Sequence, residues 1–155
     1  MPATYDRIDK VTATGSQSSI SFTSIPATYT DLVLIINGGA GVGYAVRLNG
    51  DSGSNYSWTR LYGDGSSAVS DRGTNQTDLT SNWGGNTNNV IAVNIMNYSN
   101  TTTWKTALTR IGDNAYTVAL AGLWRNTAAV NQVSIVGVGN WSSSTTFTLY
   151  GIKAA

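Results

Sequence analysis

Val46-Arg47-Leu48-Asn49-Gly50-Asp51-Ser52-Gly53-Ser54-Asn55-Tyr56-Ser57-Trp58-Thr59-Arg60-Leu61-Tyr62-Gly63 is the stretch on which the reading of the fold turns. Apolar and polar residues alternate up to Leu48, an Asn-Gly pair marks a tight turn, and alternation resumes at Tyr56. Period two is the signature of strands with one face in a core. The same period recurs outward in both directions: Ile20 and Phe22; Ile91, Val93 and Ile95; Tyr116, Val118 and Leu120; Phe147 and Leu149. Helical periodicity is almost absent, and the chain lacks glutamate altogether. Leu32-Val33-Leu34-Ile35-Ile36 is apolar on both faces, which predicts a central strand covered on its second side by another layer, a subunit neighbour or a terminal arm.

Turn signals such as Ile25-Pro26-Ala27, Asn37-Gly38-Gly39, Gly63-Asp64-Gly65 and Gly139-Asn140 separate the runs. The expected architecture is a single all-β domain over 1–155: an antiparallel two-sheet sandwich, jelly-roll-like, with about 8–10 strands and essentially no helix. Residues 1–14 are expected to be either an N-terminal arm or an edge strand, and the short run near 67–71 is the other weak strand. Residues 89–124 read as a three-stranded meander. Gly73 to Asn89, with Trp83 among asparagines and glycines, is the longest stretch without periodicity, a length usually reserved for function or an interface.

Composition narrows the chemistry. The 155 residues contain no cysteine and no histidine, and the net charge is +1. Disulfides and zinc sites therefore fall away, as does a histidine-based triad. No basic segment precedes an apolar run at the start, and no run is long enough to span a bilayer as a helix, so neither a secretory signal nor a membrane partner is expected. The nine lysines and arginines are scattered rather than clustered, which argues against nucleic acid. Serine, threonine, asparagine and glycine make up nearly half the chain, so its Asn-Xaa-Ser/Thr triplets are read as chance.

Three chemical readings of the central block compete. Asp51 and Asp64 flank what reads as one hairpin and would be the only carboxylate pair for a hydrolase, against the ordinary role of aspartate in turns. Asn49, Asp51, Ser52, Ser54 and Asn55 loosely resemble a calcium loop, but without a bidentate glutamate a hydrogen-bonded turn is the stronger reading. Tyr56, Trp58 and Tyr62 form an aromatic row at period two, suited to stacking on sugars or to a core or subunit interface, with Arg60 placed for cation–π contact. No catalytic residue, cofactor or metal is expected. The candidate interface or ligand-contact residues are Asn49, Asp51, Asn55, Tyr56, Trp58, Arg60, Tyr62 and Trp83.

The Asn49–Tyr62 block, with Ile25-Pro26-Ala27-Thr28-Tyr29-Thr30-Asp31-Leu32, Gly122-Leu123-Trp124-Arg125 and the closing Leu149-Tyr150-Gly151-Ile152, resembles a β-sandwich module of tailed-bacteriophage virion proteins, cyanophage-like ones included. The resemblance implies a non-enzymatic structural protein, either a capsid decoration (cement) protein or a tail-fibre domain. No shaft repeat or trimerising coiled coil is present, which favours decoration. The expected partners are then the major capsid protein and sister copies in a homotrimer. The expected location is the capsid surface after synthesis in the host cytoplasm. A tail component binding a host glycan is the alternative.

Overall fold

In the computed structural model, which describes residues 4–39, 43–81, 88–112 and 115–153, the alternating runs become eleven strands and no helix. They are β1 (Tyr5–Thr12), β2 (Ser19–Phe22), β3 (Asp31–Asn37), β4 (Tyr44–Leu48), β5 (Tyr56–Gly63), β6 (Ala68–Gln76), β7 (Val90–Met96), β8 (Lys105–Gly112), β9 (Thr117–Trp124), β10 (Val133–Gly137) and β11 (Thr146–Ile152). Eleven exceeds the eight to ten expected because both weak segments pair. Residues 5–12 form an edge strand against β11 rather than an arm, and the run near 67–71 extends to Gln76 along β5.

The strands make two antiparallel sheets of unequal width. The large sheet has eight strands in the order β1-β11-β3-β7-β8-β9-β5-β6, and the small one has three, β2-β10-β4. The chain crosses between the sheets at β1–β2, β2–β3, β3–β4, β4–β5, β9–β10 and β10–β11, the wiring of a jelly-roll-like sandwich. The meander over β7, β8 and β9 is present as read.

The core lies where the small sheet covers the middle of the large one. Leu32, Leu34 and Ile36 of β3, Ile91, Val93 and Ile95 of β7, and Phe147 and Leu149 of β11 face Ile20, Phe22, Val46, Leu48, Val133 and Ile135. Trp141 closes one end, packed edge-on against Phe147 with ring centroids 4.9 Å apart. Lys105 is the one buried cation: its amine donates to the carbonyls of Thr103 and Thr127, and burial holds its pKa below the usual lysine range.

The β4 edge of the small sheet is finished by side chains and by one backbone amide. On β4 the Val46 carbonyl accepts the Leu79 N–H, while the Val46 N–H donates to the Thr80 hydroxyl, which donates in turn to the Tyr44 carbonyl. The Leu48 N–H donates to the Tyr56 hydroxyl. The Tyr44 carbonyl, both Val46 groups and the Leu48 N–H of that edge thus find partners without a twelfth strand. Of the stretch Gly73 to Asn89, read from sequence as aperiodic and functional or interfacial, residues 73–76 belong to β6 and residues 77–81 are this cover.

Candidate functional site

The quoted block is not a hairpin. Asn49 and Gly50 both have positive φ (51° and 68°), and the Asp51 N–H donates to the Leu48 carbonyl at 3.0 Å, so the turn itself is the left-handed type that Asn-Gly favours. The strands on either side nevertheless separate: β4 pairs with β10 in the small sheet, and β5 pairs with β9 and β6 in the large one. The block is a corner between layers. Tertiary partners decide this, since a tight turn fixes chain reversal but not which neighbours the strands take.

At that corner the polar groups are turned inward. Asp51 accepts from the Gly53 N–H (2.8 Å), the Asn55 amide (2.9 Å) and the Trp124 indole N–H (2.7 Å). Partial burial pushes the Asp51 carboxyl upward, but these three donors outweigh it and hold its pKa below the ordinary value. The Asn49 side-chain oxygen accepts from Asn131 and Gln132, and its amide donates to the Ala129 carbonyl. Of the calcium-like oxygens, those of Asn49 and Asp51 are therefore occupied by protein donors. Asp64 sits at the far end of β5, bonded to Ser66 and Ser67 of the β5–β6 turn, so the two aspartates do not form an acid–base pair. Among the described residues no group of three or more aspartates is placed to hold a metal ion.

The aromatic row divides. Tyr56 is fully buried, stacked on Trp124 at 6.3 Å, and its hydroxyl donates to the Asp51 carbonyl. Burial raises its phenol above the usual tyrosine range. Tyr56 is core rather than contact surface. Trp58, Arg60 and Tyr62 continue the same inward face past the cover of the small sheet and are half-buried. The Trp58 ring lies where a Cβ on Gly73 would stand, 2.6 Å from it, which explains a glycine at that register position of β6. The Arg60 guanidinium lies 5.0 Å from the Trp58 ring centre and 5.4 Å from that of Tyr62, and its fork meets Asp71 at 2.6 and 2.5 Å. Trp83 lies outside the described residues.

What the sequence reading missed is the other side of the same sheet. The outward positions of β5, β7 and β8 carry Leu61 (59% exposed), Val90 (55%), Met96 (43%) and Leu108 (40%) around Ala92, Ala119 and Ala121. Ile35 of β3, half-buried, continues this surface, whereas Val33 beside it is buried at 5% exposure; no third sheet lies over the face among the described residues. The signal was present in the sequence: on β5, β7, β8 and β9 many positions alternating with the core residues are leucine, methionine and alanine, and Arg110 is the one charged residue among them.

No protein-family model matches the chain, and no curated protein matches it. Among solved structures it is similar to a toad ovary galectin in complex with thio-digalactose, at 11% identity and a TM-score of 0.41, over 84% of this chain and 99% of that one. It is also similar to a mutant of the alginate lyase Aly36B in complex with alginate tetrasaccharide, at 12% identity and 0.35, over 80% and 68% of the two chains. A tetrameric galectin from the ball sponge Cinachyrella sp. aligns at 14% identity and 0.27, over 86% and 99%. The likeness is one of fold.

Proposed function

We propose that this chain is a non-enzymatic structural protein of a phage virion, a capsid decoration protein that stabilises the shell by binding across junctions of the major capsid protein. The observation that supports this reading is the broad outward face of the large sheet, largely apolar on its inner strands and with no further layer over it among the described residues. Such a face is built for contact. Burying it removes apolar area from water at about 25 cal/mol per Å², and many copies engaged on one particle make release slow. The corner at Asn49–Tyr56 adds rigidity rather than chemistry, because its carboxylate and amides are bonded within the fold. Particles assembled without the chain are expected to lose their DNA at lower temperature or milder osmotic shock than complete ones. Equal heat and osmotic resistance of the two would overturn the reading.

A second reading, a tail component that binds a host glycan, draws on a cavity of about 330 Å³ beside Trp58. Ser57, Thr59, Arg72 and Thr74 line it with hydroxyls and one guanidinium, and Ala121 and Leu123 form its floor. Filling it with Thr59→Phe is expected to abolish adsorption of particles to host cells. Undiminished adsorption sinks this alternative.

A further inference from the structure

Charge is sorted in this molecule, and the sorting identifies what the outward face meets. Of the nine basic side chains, five are engaged within the fold. Arg60 is paired with Asp71 and Lys153 with Asp6. Arg47, Lys105 and Arg125 donate to backbone carbonyls. The other four, Arg7, Lys10, Arg72 and Arg110, share one location. Arg7 is opposite Tyr150, Lys10 opposite Thr148, Arg72 opposite Thr59 and Arg110 opposite Ala119, all outward register positions of the large sheet. None has an ion pair among the described residues, and Arg110 meets only the Asn94 amide at 3.4 Å. Asp31, at the end of β3, is the acid of that face, and its carboxylate is held by the Asn97 N–H at 2.6 Å.

Five of the nine exposed large apolar side chains among the described residues, Tyr5, Leu61, Val90, Met96 and Leu108, also lie on this face. Val69 is on the other side of β6, and Trp104, Tyr116 and Val138 lie in connecting segments. Eight strands about 4.8 Å apart and about 20 Å long give a surface of about 700 Å², close to the ~800 Å² that one partner contributes to a standard protein interface. Apolar residues on the inner strands, with Arg7, Lys10 and Arg72 on the edge strands and Arg110 near the end of β8, make the mix of apolar surface and arginine found in such an interface.

We propose that the outward face of the large sheet docks onto a protein surface that carries carboxylates around an apolar centre. A second copy of this chain does not fit. A two-fold contact through this face sets its cations against their own copies with no free carboxylate to answer them. Nucleic acid does not fit either. The cations stand at β1, β8 and β6, up to seven strand spacings or ~34 Å apart, with leucine and methionine between them instead of a continuous basic track.

Identifying the partner as the outer wall of the capsid rests on the decoration reading, and the test separates the two claims. Purified wild-type chain, Arg72→Glu/Arg110→Glu, Leu108→Asp, and a control, Ser19→Glu/Thr23→Glu at the two ends of β2, are each titrated onto shells assembled without the chain. Thermal melts confirm that each variant folds. Wild type and control are expected to bind with an affinity that falls as salt rises, and the two outward-face variants to bind at least about tenfold more weakly. Full binding by both outward-face variants overturns the docking face and leaves the decoration reading standing. Absence of binding by the wild type overturns the reading and the assigned partner together. Self-association of the wild type that those variants abolish overturns the proposal in favour of a second copy.

Discussion

At the scale of the residue, Asp51 carries the corner. Its carboxylate gathers an indole, an amide and a backbone N–H into one node between the layers. Asp51→Asn leaves the Trp124 indole N–H poorly paired and is expected to cost about 2 kcal/mol, read from urea unfolding at neutral pH. The pH dependence has a definite sign. A carboxyl held below its unfolded pKa stabilises the fold fully above about pH 4, and that contribution is lost as pH falls through the lower folded value. The variant should therefore lose less stability than the wild type between about pH 4.5 and 2. Asp64, held low by the Ser67 and Ser66 N–H groups, keeps its own share of the acid sensitivity. Identical acid slopes would show that Asp51 is not this node. The Asn-Gly turn was legible because positive φ is local chemistry. The destination of the strands was not, because Tyr56 and Trp124 meet only after distant β9 is in place.

Among elements, the cover over β4 shows what periodicity cannot reveal. Leu79 and Thr80 lie in a segment without alternation, yet their groups complete the small sheet's edge through single hydrogen bonds. Gly122 of β9 makes room for that segment, since a Cβ there would stand 2.6 Å from the Leu79 carbonyl oxygen. Gly122→Ala is expected to destabilise by about 2 kcal/mol and to speed hydrogen exchange at the Val46 and Leu79 amides. Unchanged melting and exchange would show the cover yielding freely. Core positions, by contrast, were plain in the sequence: the alternating residues of β7, β8 and β9 point inward as their period demands. The doubly apolar β3 was also legible. On its second face Val33 is buried and Ile35 half-buried. Of the three covers expected there, another layer, a subunit neighbour or a terminal arm, no further layer is found among the described residues.

Over the whole molecule, the two sheets have different duties. The small one seals the core and presents serine outward, at Ser19 and Ser21 of β2. The large one overhangs it and offers a wide face on which apolar surface and unpaired positive charge coincide. Decoration and docking are claims at this scale, tested on whole particles and whole shells. Sequence made the fold class readable, but which of two alternating faces is open depends on how far the second sheet extends. Three strands cannot cover eight.

The pairing of β1 with β11 sets Tyr5 opposite Ile152, and the Lys153 N–H reaches the Thr4 carbonyl, so residues 4 and 153 lie side by side at one end of an edge. In mechanical terms, tension applied between those two points opens the pair like a zipper, one rung at a time. A load pressed against the sheet is instead shared by all eight strands. The molecule is soft along its chain and stiff across its face, the directional strength of a plate rather than of a tether.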